Sequence, residues 1–310
     1  MTTENQPPSV LITGATGFIG LALVRALVTA GHAVTVFALP SELERVPGGV
    51  QVVEGNITNP QAIATAVASM RPEWLFHLAA VGVTHPDLPS SEACAVNVMG
   101  TVNVLEAARA TDTVRRIVAI GSSYEYGPRA TDEGLDPFNV YSASKVAAWA
   151  FARAAHNAWR APVVWMRPFQ VYGPGQNPRA LIPAAIRAAL GGEDFRMTAG
   201  EQMRDFIYVE DVVRGLLAAA TATHIDGRAL DLGTGRLSRI RDVIEQVWQM
   251  TQAPGRIMAG ALPYRAGEVT AIPAAFERTR RLTGWEARIS LEQGLRLTIA
   301  EARETWQRSI

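Results

Sequence analysis

The sequence predicts an α/β protein built on a doubly wound parallel sheet with a smaller C-terminal cap. Three observations carry this. Short apolar runs such as Val10–Ile12 and Val118–Ile120 recur through the first part of the chain, as strands buried on both faces do. Most of these runs lead into a segment of helical spacing, and repeated strand–helix units imply right-handed crossovers and a parallel sheet. From Tyr172 onward the texture changes to a glycine- and proline-rich loop, an alanine-rich helix and further amphipathic helices.

The bulk properties bound the problem. The chain has 310 residues, 48% apolar and 19% charged, which suits one large domain with an appendage. We expect residues 1–172, with 205–235 returning to them, to form the sheet domain, and 173–204 with 236–310 to form the cap. Formal charge is zero, which argues against non-specific binding to nucleic acid or an acidic membrane. The sole cysteine, Cys94, excludes an intrachain disulfide and a cysteine metal cluster; it falls in a predicted helix and is expected to be buried and inert. No metal site is predicted. No apolar run reaches about eighteen residues and Met1–Ser9 is polar, so neither a membrane span nor a signal peptide is expected, and a cytoplasmic setting fits.

Taken in order, Val10–Thr13 is a strand that enters a turn with glycines at 14, 17 and 20, followed by a helix over Phe18–Ala30. Glycines allow the tight turn and close backbone approach, while the helix N-terminus offers unpaired N–H groups to a pyrophosphate. Gly14, Thr16, Gly17, Phe18, Ile19 and Gly20 are therefore candidate dinucleotide contacts. Ala33–Phe37 is the second strand. A carboxylate at its end would bind the ribose hydroxyls of NAD, but no acid follows until Glu42, and a base stands at Arg45. Without that acid, Ser41 or Arg45 could contact a ribose 2′-phosphate, which tilts the cofactor toward NADP over NAD; Arg45 on an exposed loop is the equal alternative.

Val50–Glu54 is a third strand, leading to Asn56 and Ile57 and a helix to Met70. The fourth strand, Trp74–Ala80, ends in small Ala79 and Ala80, over which a cofactor could pass closely. His77 reads as a packed core histidine. Loop Val81–Ser90, carrying Thr84 and His85, lies at the sheet's carboxyl edge within reach of a substrate, and a helix Ser91–Ala110 follows. The strand over Ile117–Ile120 then ends at Gly121, so Ser122 and Ser123 sit at that same edge, where open α/β sheets bind ligands. Tyr141 and Lys145 are spaced to share one face of the next helix, which runs to Trp159, and Val163–Met166 is another strand. A serine hydroxyl, a phenol and an ammonium converging on one crevice suit proton transfer to a substrate oxygen. The phenol, with a pKa of about 10, needs a nearby cation to become a base, and Lys145 is the expected source of part of that shift.

These residues carry a resemblance. The glycine loop, Asn97-Val-Met-Gly-Thr101, Ser122-Ser-Tyr-Glu-Tyr-Gly127, Tyr141–Lys145, Arg167–Gly175 and Arg204-Asp-Phe-Ile-Tyr-Val209 resemble the extended short-chain dehydrogenase/reductases that act on nucleotide sugars. The likeness covers nearly the whole chain and implies a Rossmann sheet. It also implies Ser122 (Ser123 as alternative), Tyr141 and Lys145 as the catalytic triad, with Tyr141 and Lys145 also touching the nicotinamide half of NAD or NADP. Asn56 stands where many relatives have Asp, and would hold the adenine amino group through its carbonyl. Thr84, Ser123, Tyr124 and Gln170 are implied on the sugar side. Arg204 and Arg265 match positions that grip the substrate diphosphate, a task suited to a planar guanidinium.

Relatives that dehydrate their sugar carry an Asp-Glu or Ser-Glu pair where this chain has Ser123 and Tyr124, so the glutamate is what is missing. Glu125 is one place further on, and on a strand-like segment would face the other way, so dehydration is disfavoured. Hydride transfer at C4 of a nucleotide-diphosphate sugar is the leading reading, leaning to a 4-ketoreductase of a 4-keto-6-deoxy sugar, with a 4-epimerase as the alternative. A reductase of non-nucleotide ketones and a non-catalytic dinucleotide sensor are the other classes. A homodimer is implied, through helices Ser91–Ala110 and Ser142–Trp159. In the second of these, Ala148, Phe151, Ala152, Ala155 and Trp159 form a packing face that would serve either a partner or the protein's own sheet.

Overall fold

In the computed structural model, residues 7–83, 87–127, 134–264, 271 and 273–307 are described. β1 (Val10–Thr13), α1 (Phe18–Thr29) and β2 (Val34–Ala38) are followed by a 3₁₀ turn, Pro40–Arg45. Next come β3 (Gln51–Glu54), α2 (Pro60–Met70) and β4 (Trp74–His77). The predicted helix after it begins as α3 (Ser90–Ala93), loosens into a π-helical stretch over Cys94–Met99, and resumes as α4 (Gly100–Arg109). β5 (Arg116–Ile120), a 3₁₀ turn over Ser123–Tyr126, α5 (Val140–Trp159) and β6 (Val163–Pro168) complete the first half. Beyond them lie β7 (Gln170–Tyr172), α6 (Leu181–Gly191), β8 (Phe195–Met197), β9 (Met203–Arg204), β10 (Phe206–Tyr208) and α7 (Val209–Thr221). The chain then forms β11 (Ala229–Leu232), β12 (Ser238–Arg239), α8 (Ile240–Thr251), β13 (Ile257–Ala259), α9 (Phe276–Thr283) and α10 (Leu291–Gln307).

The main sheet has seven strands in the order β11-β6-β5-β4-β1-β2-β3, every pair parallel. Its inner strands are largely apolar because both faces are covered, whereas the edge strand β3 is mostly exposed. Val10 and Ile12 pack with α1 and α7, whereas Leu11 turns to the opposite face with α2, α4 and α5; Val118 and Ile120 against Ile117 and Ala119 divide the same way. Strand order reverses between β1 and β4, and the crevice at their carboxyl ends is where such sheets receive ligands. A further core joins α6, α8 and α10 to Tyr172, Phe206 and Tyr208, with Val243, Ile244 and Val247 of α8 fully buried in it.

Buried carboxylates tie the C-terminal segments to the sheet. Asp205 accepts from the backbone N–H groups of Thr234, Gly235 and Ala274, and Asp211 from those of Arg288 and Ile289. A buried carboxylate is stable only when such donors satisfy it.

One sequence expectation needs correction here, and one divides between its two alternatives. Cys94 is exposed, because the inward face of its helix passes through Ala93, Asn97 and Thr101. The α5 face divides: Ala148 and Ala152 are buried against the protein's own sheet, while Phe151 is half exposed. Among the described residues no helix is long and apolar enough to cross a membrane.

Candidate active site

The site grows from the end of β5. Ser122 has an extended backbone and caps the 3₁₀ turn behind it: its hydroxyl accepts from the Tyr124 N–H at 3.1 Å, and the Glu125 carboxylate accepts from the Ser122 N–H at 2.8 Å. This reciprocal capping fixes the backbone of the serine. The segment is a tight turn rather than the extended strand assumed from sequence, and the turn carries Glu125 inward. Its side chain is fully buried, accepting from Trp165 Nε1 at 2.9 Å and from Arg167 Nε at 2.7 Å, both on neighbouring β6. Arg167 also donates to the Tyr126 hydroxyl at 3.2 Å, which in turn donates to Asp231 at 2.8 Å.

Asn139 sets the start of α5. Its side chain accepts from the Ser142 N–H at 2.8 Å while the Ser142 hydroxyl accepts from the Asn139 N–H at 3.0 Å, so Tyr141 lies in the first turn and Lys145 one turn further. Both side chains are buried, and the phenol is hydrogen-bonded to Ser122. Burial pushes the Tyr141 pKa well above the ordinary phenol value; the Ser122 hydrogen bond opposes this and the Glu125 charge adds to it. The sequence expectation gives Lys145 a share of any downward shift alongside an oxidised nicotinamide; in the protein alone burial sets the direction. Burial therefore favours the neutral phenol of Tyr141. Burial also lowers Lys145 to about 8, opposed by the Glu125 charge. Its ammonium lies 5.3 Å from the centroid of the Trp165 ring. No other lysine occurs in the sequence.

Asn97, in the π-helical stretch, was not singled out as a site residue. Its side chain bridges backbone and helix: Oδ1 accepts from the Val81 N–H at 2.8 Å, and Nδ2 donates to the Val81 carbonyl at 3.0 Å and to Ser144 Oγ at 2.8 Å. It thereby couples the segment after β4 to the helix that carries Tyr141 and Lys145. His77 is the packed histidine expected, with Thr13 and Thr101 hydroxyls on its two nitrogens at 2.8 and 3.0 Å, and burial lowers its pKa to about 3.

The glycine loop has the form of an anion cradle. Gly14 has φ +71°, and a Cβ there would come within 2.4 Å of the Ala79 backbone nitrogen; one on Gly20 would meet the Gly14 carbonyl at 2.2 Å. The first turn of α1 has no side-chain cap and no acid, leaving its N–H groups for a ligand's phosphates. Thr16 is buried, Phe18 and Ile19 are half-buried, and Gly17 is exposed. Ala79 and Ala80 are half-buried just past β4. Ser41 and Asn56 are exposed, the latter with its carbonyl accepting from the Thr58 N–H, and Ile57 is buried with its own carbonyl held by Asn103. These residues fit a dinucleotide. Glu42, the first acid after β2, accepts from the Thr16 hydroxyl at 2.9 Å, and Arg45 donates to the Thr16 carbonyl at 2.7 Å.

On the substrate side, Ser123 and Tyr124 are half-buried, and the Tyr124 ring meets Tyr141 edge-on at 6.4 Å. Gln170 is half-buried on β7. Arg204, half-buried on β9, donates to the Met203 carbonyl at 2.9 Å, and its backbone pairs with Ser238 of β12. Thr84, His85 and Arg265 lie outside the described residues.

A family model described as "NAD dependent epimerase/dehydratase family" matches residues 10–233, from β1 to just past β11. A UDP-glucose 4-epimerase of Mycolicibacterium smegmatis is 29% identical over 93% of this chain and 96% of its own. The crystal structure of a UDP-glucose 4-epimerase from Thermotoga maritima, bound to UDP-glucose, superposes with a TM-score of 0.89 at 26% identity, covering 96% of this chain and 99% of that one. MoeE5 in complex with UDP-glucuronic acid and NAD gives a TM-score of 0.85 at 31% identity, with 96% and 99% coverage. Sheet order, glycine cradle and sequence likeness agree, and the chain belongs to the NAD-dependent epimerase/dehydratase family of extended short-chain dehydrogenase/reductases.

Proposed function

We propose that the protein transfers a hydride at C4 of a nucleotide-diphosphate sugar and acts as a 4-epimerase. The observation that carries this is the buried Ser122–Tyr141–Lys145 cluster, beside which Glu125 is turned away from the sugar side. Tyr124 stands where an elimination would need a glutamate, and Glu125 is turned into the protein onto Trp165 and Arg167. Relatives whose names are UDP-glucose 4-epimerase support the sugar position and class.

The Gly14–Gly20 loop, Tyr141 and Lys145 would hold the dinucleotide, and a bound nicotinamide would supply an acceptor for the C4 hydride and a donor of it to the opposite face of the ketone. Tyr141 takes the proton of the 4-hydroxyl as the hydride leaves and gives it back to the ketone oxygen as the hydride returns, so atoms and electrons balance over a cycle. The neutral phenol is the form that donates. Ser122, held by its reciprocal cap, hydrogen-bonds the same oxygen. Lys145 holds a positive charge beside the phenol, favouring phenolate in the half-cycle where Tyr141 must act as base. Arg204 and Arg265 bind the sugar's diphosphate, and Gln170 and Tyr124 border the sugar.

A 4-ketoreductase is the second reading, favoured by the Ser122-Ser-Tyr-Glu-Tyr-Gly127 pattern. Its other support, the missing acid after β2, weakens with Glu42 beside the glycine loop. Incubation with UDP-, GDP-, CDP- and dTDP-hexoses, followed by NMR of the product, tests the proposal. An epimer of unchanged mass with no net consumption of NAD(H) is the expected outcome. Stoichiometric oxidation of NAD(P)H by a 4-keto sugar would establish the reductase instead, and loss of water would exclude both.

A further inference from the structure

The end of β2 is where a dinucleotide-binding sheet tests the adenosine ribose, and here it holds no acid. That strand end alone points to NADP(H). The geometry of the turn that follows points the other way. Pro40–Arg45 winds into a 3₁₀ turn capped by Leu39, and Leu43 and Val46 pack against the core shared with α1. Anchored so, the turn folds back over the glycine loop, and the Glu42 carboxylate reaches the hydroxyl of buried Thr16 at 2.9 Å. Thr16 lies between Gly14 and Gly17, immediately before the α1 N-terminus that receives the pyrophosphate. Glu42 therefore bridges the two elements between which the adenosine ribose must lie.

We propose that Glu42, four positions past the strand end, is the residue that selects NAD(H) over NADP(H), by accepting from the ribose hydroxyls and repelling a 2′-phosphate. The inference rests on the dinucleotide reading of the Gly14–Gly20 loop. Arg45 is the competing cation on the same turn. It is exposed, and its guanidinium donates to the Thr16 carbonyl at 2.7 Å, so it braces the loop from outside. A carboxylate that keeps one acceptor oxygen toward a vicinal diol binds it well, whereas two like charges in one site oppose each other.

The test is a binding titration, which needs no sugar substrate. NADH and NADPH are titrated against the full chain by nicotinamide fluorescence, with the shift in melting temperature as a second readout, for the wild type, Glu42→Gln, Glu42→Ala and Arg45→Ala. Wild type should bind NADH at least about tenfold more tightly than NADPH, and both Glu42 variants should shrink that ratio to about threefold or less, mainly by tightening NADPH. Arg45→Ala should leave the preference in place. A wild-type preference for NADPH that disappears in Arg45→Ala would assign the selection to Arg45 and overturn the inference. An unchanged ratio in both Glu42 variants, with unaltered melting of the free protein, would overturn it as well. Binding of neither nucleotide would overturn the dinucleotide reading and the inference with it.

Discussion

The carboxylate of Glu125 and the guanidinium of Arg167 meet at 2.7 Å directly behind the Ser122 backbone, with the side chains 0% and 6% exposed. The pair is the inner wall of the site: one partner caps the serine turn, and the other is fixed by β6. Breaking a buried pair strands the remaining charge, so Glu125→Ala should cost about 3–5 kcal/mol of stability in urea denaturation, while exposed pairs such as Arg71–Asp112 should cost about 1 kcal/mol or less. A loss at Glu125 no larger than at the exposed pair would show that water enters to solvate Arg167.

Lys145 offers a site-specific titration, since no second lysine confuses amine chemistry on side chains. Its reactivity toward an acylating reagent, read by peptide mapping, should rise with a midpoint near pH 8 rather than the ordinary 10.5. Glu125→Gln should move that midpoint lower, because the carboxylate charge favours the protonated ammonium. A midpoint unmoved by Glu125→Gln would mean that the two groups are not electrostatically coupled.

The same shift has a consequence for stability. Above about pH 8 the folded chain has released a proton that the unfolded chain keeps until about 10.5, so stability rises with pH across that window. At pH 7 both states carry the charge and the folded state bears its burial cost. Lys145→Met should accordingly be more stable than wild type near pH 7, and the gap should close toward pH 10. Buried tyrosines such as Tyr141, with raised pKa values, reverse the slope above about pH 10, where unfolded tyrosines ionise. Urea titrations at several pH values check both signs.

Tyr141→Phe removes the proton donor while leaving the ring in place. Turnover should fall by about 10²–10⁴-fold, with the fold and cofactor affinity retained. Turnover near that of wild type would remove Tyr141 from the chemistry.

Arg204→Ala and Arg265→Ala should each weaken nucleotide-sugar binding by about 10–150-fold, the loss of a charge-assisted hydrogen bond. Cofactor affinity should hardly change, since the cofactor's pyrophosphate belongs to the Gly14–Gly20 cradle. Equal loss of both ligands would mark the arginines as structural.

The sequence by itself determined the sheet, because strands buried on both faces must be apolar runs and each parallel crossover needs a helix. It also determined the glycine cradle and the Tyr141–Lys145 spacing, which are local geometry: a turn that tolerates no Cβ, and one turn of helix. What only the tertiary structure decided are relationships between residues distant in the chain or turned by a short bend. Glu125 faces Arg167 because a 3₁₀ turn, not a strand, follows Ser122. Asn97 holds Val81 and Ser144 because a π-helical stretch aims it between them. Glu42 reaches Thr16 because the turn after β2 folds back rather than running on. The direction of the Tyr141 pKa shift, too, was decided by burial, for desolvation depends on what packs around a group and spacing along the chain does not record it.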